Sequence, residues 1–205
     1  MINVYFASLP EHLDESKILL LEGSRLKEIE KIKNERVRRE KYYVWRLLAY
    51  ALKDSSGKEL SSLFVEKNEN GKWECADREV CFSLSHSRGA LCVAVFDKSV
   101  GVDVEELRAP SSDILAFARK ILNSRELSEF SLLEEEEQIS FLISKWTQKE
   151  AVFKMLGGKT FSACDVATDS VFVKTENVIL NETKFVGSVA AEREDTIFLK
   201  KVELI

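Results

Sequence analysis

The chain has 205 residues, 45% of them hydrophobic, and a formal net charge of −5. That length and composition suffice for a buried core and exclude a disordered chain, while the acidic balance excludes strong nonspecific binding to nucleic acid, which runs on phosphate neutralisation. Four scattered cysteines and two histidines, His12 and His86, show no zinc-type spacing; no apolar run nears the ~20 residues of a bilayer span, and MINVYFASLPEHLDE has no basic leader, so a reduced, cytoplasmic protein without membrane contact is expected.

Residues 2–9 are rich in β-formers and closed by Pro10, which predicts a strand. Residues 14–53 read as helix in two or more pieces; the second, RREKYYVWRLLAYALK, is amphipathic and ends before the DSSG turn at 54–57. A strand or hairpin follows, with the turn at 68–71. Residues 82–85, 91–96 and 100–104 are short strands, the last two joined by Asp97-Lys98-Ser99. Beyond Pro110 the pattern is helical again, with Ser111 or Ser112 as one N-cap and Ser124 as another. A long helix is predicted over 134–156, opened by four glutamates that suit the helix dipole and stopped by Gly157-Gly158. The tail, 160–205, is strand-like in four pieces: VFVK, NVIL, KFVGSVAA and TIFLKKVEL. Helix-then-strands thus occurs twice, an order that two similar α+β halves explain.

Three places carry candidate chemistry. In GVDVE, alternation puts Val100, Val102 and Val104 on one face of a strand, with Asp103 and Glu105 on the other. Two neighbouring carboxylates repel, and they fit either a wet outer face or a site for a hard cation such as Mg²⁺. On the long helix, Ile139, Leu142, Ile143, Trp146 and Phe153 form an apolar stripe that also contains Glu150, with Lys154 one turn on. A carboxylate there is either paired with Lys154 or bound to a metal. Ser85-His86 sits at a strand end, where a satisfied turn histidine and a phosphate grip are both open readings; no nucleophile elbow accompanies it, which sets serine hydrolysis aside. Basic residues gather from Arg25 to Lys41 with acids interleaved, either as a solvated helix face or as a contact for a polyphosphate.

In chain order, FSLSHSRGALCVAVFDKSVGVDVE, NSRELSEF and KWTQKEAVFKMLGG resemble the 4′-phosphopantetheinyl transferases of the two-halved Sfp type; GVDVE, and WTxKEAxxK about forty residues further on, are the family's signature. Asn70-Gly71-Lys72 matches more faintly where the family usually reads Gly-Lys-Pro, Trp73 standing in place of the proline. The resemblance implies an α+β fold of two similar halves, residues 1–106 and 107–205, related by pseudo-twofold symmetry with the active site in the cleft between them, and a monomer. It implies transfer of the 4′-phosphopantetheine arm of coenzyme A to a serine of an apo acyl, peptidyl or aryl carrier protein, with 3′,5′-ADP released. Asp103, Glu105 and Glu150 would hold Mg²⁺, Lys154 would meet the phosphates, and Glu126 would deprotonate the carrier serine. Ser85, His86, Lys72 and, from the early helix, Arg25 or Lys31 would contact the coenzyme. Trp146 is expected to pack in the core, and Lys149 to have a supporting role. The rival readings are a non-catalytic homologue that binds coenzyme A and carrier protein, and a Mg²⁺-dependent pyrophosphate hydrolase.

Overall fold

A computed structural model describes residues 1–13, 23–111 and 113–204. The first part of the predicted early helix, residues 14–22, and the candidate cap Ser112 lie outside the described residues. The order is β1 (Ile2–Ser8), α1 (Gly23–Glu30), α2 (Glu35–Ser56), β2 (Val65–Lys67), β3 (Trp73–Cys75), β4 (Cys81–Ser87), β5 (Ala90–Phe96), β6 (Val100–Glu106), α3 (Ile114–Ile121), α4 (Ser124–Phe130), α5 (Glu135–Leu156), β7 (Phe172–Leu180), β8 (Thr183–Ala191) and β9 (Ile197–Val202). This is a mixed α+β architecture.

The strands form a sheet ordered β4-β5-β1-β9, a second ordered β6-β8-β7, and the small β2-β3 ribbon. Two stretches of chain share one topology. In the first, β1 is followed by helices ending in the 22-residue α2 and, beyond the inserted β2–β3 ribbon, by the β4–β5 hairpin, whose second strand pairs antiparallel with β1. In the second, β6 is followed by helices ending in the 22-residue α5, then by the β7–β8 hairpin, whose second strand pairs antiparallel with β6. The β7–β8 turn, Asn181-Glu182, has both residues at positive φ, the twist that lets a two-residue link join antiparallel strands. β9 then runs parallel to β1 and extends the first sheet.

Alternation along the strands sorts side chains between layers. Tyr5, Ala7, Leu91, Val93 and Val95 face α2, packing on Tyr42, Val44, Leu48 and Leu52. The opposite face of that sheet, with Val4, Phe6, Cys92 and Ala94, meets Val100, Val102, Val104, Phe185 and Val189 of the second sheet. The outer face of the second sheet takes α5 through Ala151, Val152, Met155 and Ala190. α3 and α4 close over the far side of α5 around Ile121, Phe130 and Leu142.

Several boundaries differ from the sequence expectation. α2 runs on through Ser55 and Ser56, whose hydroxyls donate to the carbonyls of Ala51 and Leu52, and stops at Gly57 in the left-handed conformation. Asp113 caps α3 and Asn123 caps α4, in place of Ser111 and Ser124; Asn123 also forms a capping box with Glu126. Phe172-Val173-Lys174 of VFVK and the whole of NVIL lie in one continuous strand, β7. No helix among the described residues is long and apolar enough to cross a membrane.

α5 approaches β6 so closely that a Cβ at position 101 would stand 1.8 Å from the Ala151 carbonyl oxygen and 2.5 Å from the Met155 amide nitrogen. Both obstacles are helix backbone and cannot rotate away. Gly101→Ala is therefore expected to cost about 3 kcal/mol, read as a lower urea midpoint with an unchanged m-value; an unchanged midpoint would show that α5 can ride outward freely.

Candidate active site

β4 and β6 belong to different sheets, and side chains join them where backbone pairing does not. In SLSHS, alternation directs Ser83, Ser85 and Ser87 to one side. The Ser83 hydroxyl accepts from Val102 N at 3.0 Å, and that of Ser85 accepts from Val104 N at 3.4 Å while donating to Asp103 Oδ1 at 2.7 Å. The Ser87 hydroxyl donates to Glu105 Oε2. The hydroxyl expected to grip coenzyme phosphate, Ser85, is thus committed to holding Asp103.

Because Gly101 lies against α5, Asp103 and Glu105 share the α5 side of β6. Asp103 is 4% exposed, and its Oδ2 is buried with no hydrogen-bond partner. From α5, the Lys154 ammonium reaches Asp103 Oδ1 at 2.7 Å, Ser85 Oγ and Val102 O at 3.3 Å each, and Glu150 Oε2 at 4.0 Å. Burial raises the carboxyl pKa of Glu150, opposed by Lys154 and reinforced by the charges of Asp103 and Glu105. Burial likewise raises Glu105, against hydrogen bonds from Ser87 and Trp146 and with added repulsion from Asp103. Burial opposes the Lys154 ammonium, yet Asp103 and Glu150 outweigh it and the pKa is raised. Asp103, Glu105 and Glu150 therefore sense one another, but among the described residues no three His, Cys, Asp or Glu side chains close into a metal-holding group. The Lys154 ammonium, placed by sequence spacing at the border of the apolar stripe, stands on Asp103 instead.

The remaining candidates are distributed differently from the sequence expectation. Glu126 is buried, and its Oε2 accepts from Lys149 Nζ at 2.6 Å and from Asn123 N at 2.9 Å, with Lys145 3.7 Å from the other oxygen. Lys149 is wholly buried and also donates to the Ile121 carbonyl at 2.8 Å. The pair is a strut between α4 and α5, so the carboxylate expected as a base is taken up by an internal lysine. Helical periodicity missed Lys149 because α5 is packed on two opposite sides, so no single stripe describes it. Trp146 packs between Phe117 and Phe161, as expected of a core residue.

Arg25 is not free for a ligand. It is 5% exposed, lies against the rings of Trp45 and Trp73, and donates to Glu28 at 3.0 Å and to the Lys41 carbonyl. Glu28 gathers Arg25, Lys41 at 2.6 Å and Lys67 at 3.1 Å; against burial, hydrogen bonds from the two lysines and the charge of Arg25 bring it down to about 2. Lys31 is exposed in the turn after α1. Lys72, expected on the coenzyme, donates to the Lys154 carbonyl at 2.8 Å. With Asn70 on the Gly157 carbonyl and Ser99 on the Met155 carbonyl, both at 2.7 Å, it satisfies the open carbonyls at the end of α5.

His86 points away from Ser85 toward α2, its Nδ1 3.6 Å from Glu40. Burial, then the charges of Lys154, Lys41, Arg25 and Arg36, hold its pKa down at about 4. The imidazole is therefore neutral at pH 7 and sits in a cationic neighbourhood.

Residues 99–194 match the family model of the 4′-phosphopantetheinyl transferase superfamily, a segment that includes Asp103, Glu105, Glu126, Lys149, Glu150 and Lys154. Among curated proteins, the chain is similar to the 4′-phosphopantetheinyl transferase HetI of Nostoc sp., 35% identical over 83 residues, which are 40% of this chain and 35% of that protein. It is similar to a holo-[acyl-carrier-protein] synthase of Streptococcus sanguinis, 41% identical over 63 residues, 29% of this chain and 52% of that one. It is also similar to the 4′-phosphopantetheinyl transferase AcpT of Salmonella typhimurium, 30% identical over 86 residues, 42% and 44% of the two chains. The matches span about half or less of each curated relative. The phosphopantetheinyl transferase likeness read from the motifs is thereby shown, carried by the second half of the chain.

Two outcomes follow from this geometry. Lys149→Met leaves Glu126 buried without its ammonium and is expected to cost about 3–5 kcal/mol; adding Glu126→Gln is expected to recover part of the loss in denaturant titrations. For His86 the folded pKa of about 4 lies below the ordinary histidine value of 6.5, so the unfolded chain binds the extra proton between those values. Stability falls as pH drops from 6.5 toward 4, and His86→Gln is expected to flatten that part of the stability–pH curve.

Proposed function

We propose that the protein transfers the 4′-phosphopantetheine group of coenzyme A to a serine hydroxyl of an apo acyl, peptidyl or aryl carrier protein, with release of 3′,5′-ADP and assistance from Mg²⁺. The observation that carries this reading is the meeting of Asp103, Glu105, Glu150 and Lys154 where β4, β6 and α5 come together, inside the segment matched to the superfamily. The names of the relatives, phosphopantetheinyl transferase and holo-[acyl-carrier-protein] synthase, point to the same reaction.

The residues fit the ion. Mg²⁺ takes hard oxygen donors, usually one or two carboxylates together with phosphate, and Asp103 keeps one buried oxygen without a partner. Burial and mutual repulsion raise Glu105 and Glu150, a penalty that a divalent cation relieves. Asp103, Glu105 and Glu150 would hold the ion, which when bound supplies Lewis-acid stabilisation to the oxygens of the donor diphosphate. Lys154 supplies a positive charge near the same oxygens and favours departure of the ADP. Ser85 and Ser87 orient the carboxylates, and the cations around His86 offer the coenzyme's phosphates a favourable field. In-line phosphoryl transfer asks for this kind of alignment and charge compensation more than for covalent help. Glu126, held by Lys149, acts here as a strut and is not assigned the proton of the serine.

The same proposal treats residues 1–106 and 107–205 as two halves related by a pseudo-twofold axis, with the site between them, in a cytoplasmic monomer. The repeated strand–helix–hairpin order supports this division.

Mass spectrometry of an apo carrier protein incubated with the enzyme, coenzyme A and Mg²⁺ tests the reading. A gain of one phosphopantetheine group is expected. Cleavage of coenzyme A without that gain would mean a hydrolase, and tight coenzyme binding with neither would mean a binding homologue. Glu150→Gln is expected to slow the gain by about 10²-fold or more with unchanged circular dichroism.

A further inference from the structure

Lys154 Nζ has four oxygen neighbours within 4.0 Å: Asp103 Oδ1, Ser85 Oγ, Val102 O and Glu150 Oε2. They come from β4, β6 and α5, so the nitrogen is surrounded by oxygen in the manner of a bound cation. Its closest partner is the carboxylate with an idle second oxygen. The lysine stem is fixed at its base as well, since Lys72 holds the Lys154 carbonyl. Without the ammonium, three carboxylates would face one another with only serine and indole hydrogen bonds to offset their repulsion. Such an arrangement is costly in a half-buried setting.

We infer that Lys154 is the built-in counter-ion of the carboxylate site: its ammonium neutralises Asp103 and Glu150 while the divalent cation is away, and the cation has to displace it from Asp103. This rests on the proposed reading that the carboxylates take such a cation. A lysine serving only as a phosphate contact would have no reason to spend its shortest interaction on Asp103. The consequence runs against ordinary intuition, because removing a conspicuous residue of the site should tighten cation binding. The ammonium both competes for Asp103 and repels a second positive charge at short range.

The test titrates Mn²⁺, without coenzyme, into the full chain and into Lys154→Met and Lys154→Arg, followed by calorimetry. The Met variant is expected to bind Mn²⁺ at least about tenfold more tightly than the parent, and the Arg variant, which keeps the charge, to stay near the parent. Thermal denaturation should agree, with Mg²⁺ raising the midpoint of the Met variant more than that of the parent. Equal or weaker binding by the Met variant overturns the inference. Should the Met variant fail to fold, lysine acylation of the parent protein mapped by mass spectrometry decides. Labelling of Lys154 is expected to rise when Mg²⁺ is added, and unchanged labelling overturns the inference. Absence of cation binding to the parent and all variants overturns it together with the Mg²⁺ assignment, while the carrier mass assay still decides group transfer separately.

Discussion

The site is built on the contact of α5 backbone with β6 backbone at Gly101, where no side chain can be accommodated. On a strand, the residues at 103 and 105 must share the face of 101, so this contact commits Asp103 and Glu105 to the helix side and leaves Val100, Val102 and Val104 for the core between the sheets. On the helix, Ala151 and Met155 are the residues pressed against Gly101, and the residues immediately before each, Glu150 and Lys154, therefore flank the contact. One close approach thus selects which charged residues meet. Three other restraints keep α5 at that distance: Lys149 on Glu126 along its far side, and Lys72 and Ser99 on the carbonyls of its last turn.

The seam between β4 and β6 solves a different problem. Buried backbone donors need partners, and the edge amides of Val102 and Val104 have no strand beside them to pair with on the β4 side. Ser83 and Ser85 accept from them, and Ser85 and Ser87 pass the hydrogen-bonding on to Asp103 and Glu105. The same three hydroxyls therefore close the sheet-to-sheet junction and orient the acids, which ties the fold's integrity to the chemistry of the site. Burying Asp103 costs desolvation, and the charge-assisted contacts from Ser85 and Lys154 offset it.

Most of the fold was legible because its periodicities are clean: the valines of β6, the amphipathic run of α2 and the Gly157 stop of α5 all read directly from the chain. The errors have local causes. The DSSG segment looks like a turn, yet Ser55 and Ser56 satisfy helix carbonyls and carry α2 to Gly57. Asp113 and Asn123 took the caps assigned to neighbouring serines because each stands immediately before the first helical residue, Ile114 and Ser124. In the site, Glu150 was readable as a charge on an apolar stripe with Lys154 at its border, whereas Asp103 and Glu105 were readable only as neighbouring acids on one strand face, wet or cation-binding. The Lys149–Glu126 strut was not, because a fully buried lysine contradicts every compositional expectation, and only the packing of α3 and α4 over α5 makes room for it. The internal partners of Arg25 and Lys72, an acid, two indoles and backbone carbonyls, were not legible either, because they come from segments distant in the chain.

His86 reports on the field that joins the two sides of the proposed site. After burial, its depressed pKa is due to four cations, Lys154, Lys41, Arg25 and Arg36, supplied by α1, α2 and α5. Glu28 and Glu40 lie in the same region, and Glu28 binds three lysine and arginine groups, yet the charges that lower the His86 pKa are those of the four cations. A cluster of carboxylates on β6 and α5 therefore adjoins a region of α1 and α2 that favours negative charge. In a chain with a net charge of −5 such a positive field has to be assembled locally, and Lys154 acts in both regions, on Asp103 and Glu150 on one side and on His86 on the other.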